Sequence, residues 1–517
     1  MSETNFDDYA LLLHEDDDVV VTKKNLKAGI ELANGSIRLK ANSDIPAGHK
    51  VAIRNVAEGA PVKKYGQIIG FASREVSPGD HVHVHNLIVK DFGRDYDFCT
   101  DVREVNLVPE DGMRHFDGFL RPDGRIGTRN YVAVVSSVNC SASVSRYVVE
   151  HFRGDEFRKA YPNVDGVVAF THKTGCGMPG GDAQRLLQRV LAGFARHPNV
   201  FGYILIGLGC EVNQIPVLVQ NEKLKVLQKG ELPPAAMTIQ ETGGVSKTVE
   251  AACEAVLELL PKANQATRSR QPLSKLMLAE ECGGSDANSG ITANPAVGVA
   301  SDELVRYGAT AVLGETPEIY GAEHLLTRRA VTQEVGQKIV DLIHWWEEYT
   351  ARHGAEIDNN PSPGNKLGGL TTIYEKSLGA VAKAGQSPLS AVYNYAEQIE
   401  TPGLGFMDTP GFDPVSMTGM VAGGCNVGVF TTGRGSVYGC KPAPCIKVAT
   451  NTTLFERMED DMDLNAGTIL DGTETLQEVG MRLFEKIISV ANGEKTKSEL
   501  AGMGDEEFAP WQLWPTL

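Results

Sequence analysis

The 517-residue chain has no CxxC pair among its nine cysteines, no excess of positive charge, and no apolar run near the ~18 residues that cross a bilayer. Each absence excludes something. The cysteines, at 99, 140, 176, 210, 253, 282, 425, 440 and 445, are odd in number and dispersed, so neither a disulfide framework nor a zinc ribbon is indicated and a reducing compartment fits. The start, MSETNFDDYA, has neither the basic nor the apolar region of a signal peptide, so a cytoplasmic protein with no membrane contact is expected. Lys and Arg number 49 against 66 Asp and Glu, and the resulting −17 surface repels nucleic acid. Nucleotide motifs are missing too. SPGNK, with Lys366, is not a GxxxxGK[ST] loop, and DGRIGTRN, with Arg125 and Arg129, lacks the strand-to-helix setting of GxGxxG.

What is present is glycine, 55 residues of it, clustered beside Cys, His, Asp and Arg rather than in low-complexity runs, as loops that build a site would require. Hydrophobic residues at 42% and charged residues at 22% place the chain among globular proteins, and its length predicts two to four domains.

Residues 1–95 alternate short β-type runs with turn residues (Val19 to Thr22, Gly35 to Leu39, Lys50 to Ile53, Gln67 to Phe71, then HVHVHNLIV from His81), which predicts a small all-β module. Residues 96–115, charged and interrupted by Pro109 and Gly112, read as a linker. Over 116–265, YVAVVSS, GVVAF and VFGYILIG are each followed by a helical pattern, from about Ser143, Asp182 and Gln214. This is the rhythm of parallel βαβ units. After the polar stretch KANQATRSR the rhythm resumes, so 266–517 is expected to be a C-terminal α/β catalytic domain, Gly- and Pro-rich beyond His353, with a last helix over 475–492. The predicted fold class is thus a multidomain α/β protein: an all-β module, then two α/β domains with largely parallel sheets. No short-period repeat is evident.

In such sheets ligands bind beyond the carboxyl ends of the strands. Here those positions carry Asn139-Cys140, His172 and Cys176 in THKTGCG, Cys210 and Glu211 in LGCE, Cys282, Asp286 and Ser289 in CGGSDANSG, and Glu315. Any one cysteine can be a small buried hydrophobe, but recurrence at the same topological place favours a functional set of Cys176, Cys210 and Cys282. Cys99, Cys253, Cys425, Cys440 and Cys445 are read as packing residues.

If HVHVHN is a strand, His81, His83 and His85 share one face, which suits a divalent metal or proton transfer, or merely a solvated edge. His49, in PAGHKVAI, is read as a turn residue. Among cations set in Gly-rich loops, Arg434 in TTGRG is the sharpest candidate for two-pronged carboxylate binding, with Lys366 beside it. A structural Arg that caps carbonyls is the alternative.

With these residues in hand, GHKVAI, KYGQIIGFA and GDHVHVHN together resemble a SAF (β-clip) domain. GRIGTRN, GLGCE, ECGGSDANSGITANPAVG, NPSPGNKLGG, EKSLG and FTTGRGSVYG resemble the altronate/galactarate dehydratase family of sugar-acid dehydratases over nearly the whole chain. HVHVHN and PEIYGAEHLL lean to the altronate branch, DLNAGTI and TLQEVG to the galactarate branch. The resemblance implies a hydro-lyase that converts a sugar acid to a 2-keto-3-deoxy acid, D-altronate first, galactarate second, stimulated by iron(II) or manganese. It implies a small-molecule partner, hexuronate catabolism and a homodimer. A sulfolactate-type sulfo-lyase and a non-enzymatic carbohydrate-binding protein are the other readings.

Such a reaction requires a base for the proton alpha to the carboxylate, an acid for the departing hydroxyl, and a cation to stabilise the enediolate. The expected site pairs His172 and Glu211 as acid and base with Lys366 as a further catalytic group. Arg434 and Lys366 hold the carboxylate, while Ser289, Asn294 and Asp286 line the substrate pocket. A metal is expected on His83 and His85 with help from Cys176 or Cys210. An iron–sulfur cluster on Cys176, Cys210 and Cys282 is the competing arrangement.

Overall fold

The structure is a computed structural model that describes residues 4–35, 37–90, 92–94, 96–225 and 235–514. Its N-terminal part is all β. Ala10–Leu11, Val19–Thr22, Lys50–Ala52 and His81–Val82 form one antiparallel sheet, and Pro61–Lys64, Gln67–Ala72 and Leu87–Ile88 a second. Val19, Val20 and Val21 are all buried, so β-branched side chains fill both faces of this strand.

The module does contain a repeat. Four turns run from an apolar residue to a glycine three places on: Leu26 to Gly29, Ile45 to Gly48, Val56 to Gly59 and Val76 to Gly79. Those glycines have φ between 79° and 93°, and the leading residues pair as bridges, Leu26 with Ile45 and Val56 with Val76. The unit is too short and too variable at its other positions to show as sequence periodicity.

The histidine run departs from the expected strand. Pairing stops after Val82, and residues 83–86 turn, with the Asn86 and Leu87 amides both donating to the His83 carbonyl. The Asn86 side chain closes the turn by accepting from the His83 amide at 2.9 Å and donating to the His81 carbonyl.

The second part is a four-stranded parallel sheet in the order Gly166–Phe170, Tyr131–Ser136, Val200–Gly207, Ala235–Thr238. Helices Ala142–Glu150 and Val245–Gln265 bury Val144, Val148, Val256 and Leu260 on one face, and helix Asp182–Ala195 buries Leu187, Val190 and Leu191 on the other. Residues 262–265, expected in a polar connection, finish the long helix. The third part has a seven-stranded parallel sheet in the order Leu389–Tyr393, Gly403–Met407, Thr310–Leu313, Met277–Cys282, Val427–Thr432, Cys445–Ala449, Leu464–Asn465. Five of these strands lie in the stretch read as loop-rich, where glycines and prolines at the connections mask short apolar runs.

From Met277–Cys282 the chain builds outward on one side, then crosses to Val427–Thr432 on the other, so its carboxyl edge is where a ligand crevice is expected. The N-terminal module is fastened to this domain by a buried triad. Lys50 Nζ lies 2.8 Å from Glu375 Oε2, and Lys64 Nζ 2.8 Å from Glu375 Oε1. Residues 96–114 lie along the same domain with little regular structure, held by amides such as Asp101 N to Arg328 O at 2.8 Å.

Candidate active site and metal centre

Three imidazoles meet where the N-terminal module faces the C-terminal domain. His49 Nδ1 is 3.0 Å from His81 Nε2, and the His81 and His83 rings stack with centroids 5.3 Å apart. His49, His81 and His83 each offer a nitrogen within 4.8 Å of the others, and His83 Nδ1 is buried with no hydrogen-bond partner. An orphaned buried nitrogen beside two further imidazoles is the donor set of a transition-metal site. Burial lowers His81 to about 4 and His83 to about 3, so the rings are neutral and free to coordinate. His85 is exposed, with its ring 5.3 Å from that of His81 but outside the three whose nitrogens converge, because the turn rather than strand alternation places these side chains. His49, read as a plain turn residue, is the third member; only its place after Gly48 in GHK hinted at it.

His49 Nε2 also approaches the Leu367 carbonyl at 3.4 Å, which brings in the far wall. Beside it opens a cleft of about 520 Å³ lined by Lys23, Lys24 and Gly48 of the module and by Asp286, Gly368, Arg434 and Arg457 of the C-terminal domain. Arg434 packs on the turn that His49 faces, since a Cβ at Gly368 would lie 3.2 Å from Arg434 Cδ. Among the described residues neither Arg434 nor Lys366 has an ion-pair partner, although most arginines here do. Arg434 without an ion-pair partner, with Lys23, Lys24 and Arg457 around the same cleft in a chain of net charge −17, is arranged for an anionic ligand. Lys23, Lys24 and Arg457 have no evident loop motif and were not singled out from sequence.

The expected hydroxyl readers are engaged elsewhere. Asn294 donates to the Gly379 carbonyl and accepts from Thr431 Oγ1 at 2.6 Å, so both ends of its amide are used within the C-terminal domain. Ser289 Oγ donates to Asp286 Oδ1 and accepts from the Asp286 amide. Asp286 lines the cleft, but its carboxylate also accepts from the Asn288 and Ser289 amides and from Thr450 Oγ1. Burial still pushes its carboxyl up. Gly433, next to Arg434, makes room for this hub: a Cβ there would sit 2.1 Å from Asp286 Cγ. Of the three, Asp286 alone lines the cleft.

The expected acid/base pair lies in the second domain, apart from the three imidazoles. His172 is buried, with Nε2 3.0 Å from the Ser136 carbonyl and Nδ1 accepting from the Thr174 amide, and burial lowers it to about 4. Glu211 is 2% exposed; it accepts from Ser137 Oγ at 2.7 Å and from the amides of Leu208 and Gly209. Three of its acceptor positions are thus taken by its own loop and by Ser137. Cys176 and Cys210 lie on the same loops, away from the histidines, and Arg125 and Arg129 pair with Asp123 and Glu499.

Cys282 sits in a third place, a buried ion network at the carboxyl edge of the C-terminal sheet. Lys383 Nζ is 2.9 Å from its sulfur and 3.5 Å from Glu315 Oε2, while Glu318 pairs with Lys376 and accepts from Asn360 at 2.7 Å. Glu281, Glu315 and Asp413 converge within 4.8 Å. Glu315 holds φ at 67°, a left-handed conformation unusual for a residue with a Cβ. Burial pushes Glu281 up to about 8 and Cys282 up to about 12. This network could also hold a cation, but its two lysines already oppose the carboxylates. The signal for Lys376 was present in EKSLG, though nothing there assigned it a role.

Known proteins align with this organisation. The altronate/galactarate dehydratase SAF domain matches residues 8–90, the second domain of D-galactarate dehydratase/altronate hydrolase matches 118–264, and the D-galactarate/altronate dehydratase C-terminal domain matches 273–516. Over 94% of this chain, the altronate dehydratases of Bacillus subtilis and Escherichia coli, each covered to 96%, are both 34% identical. The galactarate dehydratase (L-threo-forming) of Escherichia coli is 38% identical over 94% of this chain and 93% of its own length. With three contiguous family matches and full-length relatives above 30% identity, the chain belongs to the altronate/galactarate dehydratase family of sugar-acid dehydratases.

Proposed function

We propose that the chain removes water from a sugar acid to give a 2-keto-3-deoxy acid, in the cleft between the N-terminal module and the C-terminal domain. The observation that carries this is the meeting of three neutral imidazoles with the unpaired Arg434 on either side of the Leu367–Gly368 turn. Arg434 grips the substrate carboxylate two-pronged, with Lys23, Lys24 and Arg457 adding positive field around it. A divalent metal on His49, His81 and His83, iron(II) first and manganese second, would supply Lewis-acid stabilisation of the charge that builds as the alpha proton leaves. Lys366, one residue from the Leu367 carbonyl that His49 faces, adds a further cation for the carboxylate, and the alpha proton leaves to join the departing hydroxyl. The beta C–O bond breaks, water departs, and the enol tautomerises to the ketone.

D-altronate is the first substrate on the sequence motifs. Galactarate is a specific second reading, favoured by the 38% identity to a galactarate dehydratase and by cations on both walls of the cleft, which suit a dicarboxylate. The division into residues 1–95, 96–115, 116–265 and 266–517 remains our working description of the domains. A homodimer is proposed, to be read from the mass in solution. A cytoplasmic setting is proposed because exposed free thiols at Cys140, Cys176 and Cys210 need reducing conditions. The test is anaerobic incubation with added iron(II) and each sugar acid in parallel, with assay of the 2-keto-3-deoxy product. Turnover of either is expected; turnover of neither by folded protein overturns the proposal, and sulfite release from sulfolactate would replace it by the sulfo-lyase reading.

A further inference from the structure

The second domain carries a cluster of cysteines that the proposed dehydration does not use. In its sheet the strand Tyr131–Ser136 lies between Gly166–Phe170 and Val200–Gly207, and the chain crosses over it in passing from one neighbour to the other. The carboxyl end of Tyr131–Ser136 is therefore the switch point where a ligand crevice forms. Each of the three loops leaving these strands holds one cysteine: Cys140, Cys176 and Cys210.

The loops are stitched together next to the cysteines. Asn139 N donates to Thr174 O at 2.9 Å, Asn213 N to Gly175 O at 3.0 Å, and Asn213 Nδ2 to Ser137 O at 2.9 Å. Gly175, at φ 100°, packs so closely that a Cβ would lie 2.6 Å from the Ser137 carbonyl. Ser137 and Glu211 close the third side. Burial, then the neighbouring Cys176 and Cys210, push the Cys140 thiol up, so the three groups share one electrostatic neighbourhood. All three thiols are free and exposed, whereas Cys282, Cys425 and Cys445 are buried. Cysteine is among the most buried residue types, so three exposed thiols at one switch point require an explanation beyond packing.

We propose that Cys140, Cys176 and Cys210 hold an iron–sulfur cluster by three thiolates, leaving one iron open to the crevice for a small oxygen ligand. One tetrahedral ion with metal–sulfur bonds of about 2.3 Å would draw its sulfurs to about 3.8 Å apart. The trio is not among the groups of described residues whose donor atoms converge within 4.8 Å, as His49, His81 and His83 do. A polynuclear cluster places each thiolate on a different iron and accepts this wider spacing. The ligand set differs from the one expected from sequence: Cys140 takes the place of Cys282, which is held by Lys383 in another domain. Loading releases the three thiol protons, with sulfide and equal parts of ferrous and ferric iron supplied from outside, so that no further oxidant is needed.

The experiment is anaerobic reconstitution of the full chain with equal parts of ferrous and ferric iron and sulfide, in the absence of substrate, followed by visible absorption and by iron and acid-labile sulfide analysis. The wild type is expected to gain a broad visible absorption and about four sulfides per chain. Cys140→Ser, Cys176→Ser and Cys210→Ser should each lose both, with unchanged melting temperature, while Cys99→Ser, exposed but remote from the trio, and His83→Ala keep them. Loaded wild type should also resist alkylation at the three cysteines. Wild type that takes up no sulfide, that binds one zinc or iron without sulfide, or whose three serine variants load fully overturns the proposal. Because no substrate is involved, failure here is separable from failure of the dehydratase reading.

Discussion

Lys50 Nζ lies 2.8 Å from Glu375 Oε2, and Lys50 is the residue after His49, so the ion pair that fastens the N-terminal module also fixes an imidazole of the metal centre. Burial opposes the Glu375 charge, but Lys50 and Lys64 outweigh it and hold the carboxyl well below its ordinary range. Glu375→Gln strands two buried ammonium groups. Loss of about 3–5 kcal/mol is expected, as for breaking other buried ion pairs. Thermal unfolding measures it, and a variant as stable as wild type would show that the triad does not secure the module.

His49→Ala and His81→Ala are expected to weaken iron(II) or manganese binding by at least about tenfold, while His85→Ala binds as wild type does. The contrast separates a site built by the turn from one built by strand alternation, which would require His85 and not His49. Titration of metal-stripped protein, followed by calorimetry, gives the answer without substrate.

Arg434→Lys keeps the charge but removes the planar fork, so kcat/KM should fall about 10-fold to 100-fold, chiefly through KM. Ser289→Ala, by contrast, loosens the Asp286 hub and should lower the melting temperature more than it changes KM. If Arg434→Lys retains full activity, the guanidinium is not the carboxylate clamp.

Acid should destabilise the second domain through two buried histidines. Burial lowers His172 to about 4 and His197 to about 3, so the native rings stay neutral while the unfolded chain takes up protons below about 6.5. The stability they contribute is complete above pH 6.5 and is lost as the pH falls towards those values, by about 2 kcal/mol per histidine at pH 5. Melting curves between pH 7.5 and 5 should show this slope, and His197→Gln should flatten it. Equal slopes for variant and wild type would contradict the assignment.

Much of the architecture was legible because strong local signals agreed. Val19–Thr22 and the helices opening near Ser143, Asp182 and Gln214 lie where the patterns place them, and Leu476–Ala491 begins after the Thr475 cap. The strands Leu389–Tyr393, Gly403–Met407, Val427–Thr432 and Cys445–Ala449 were hidden because each is short and buried along most or all of its length, without alternation. For the site, sequence named the right loops but not their grouping. His83 joins His49 and His81, and Arg434 lines the cleft beside them, whereas His172, Glu211, Cys176 and Cys210 gather in another domain and Cys282 in a third place. Strand-end position marks a residue as available for chemistry; which strand ends share a crevice depends on sheet order, and that order is set by contacts between residues far apart in the chain.

The strand His115–Leu120, which leads into the second domain, pairs antiparallel with Ser269–Pro272, which leads out of it. Both connections of that domain therefore pass through one narrow stalk, with His115 opposite Pro272 and Gly118 opposite Ser269. In architectural terms the second domain is a cassette plugged into a loop of the rest. It can be exchanged or remodelled at a single place without re-routing the chain elsewhere, and the histidine cleft, built wholly from segments outside the cassette, would keep its walls.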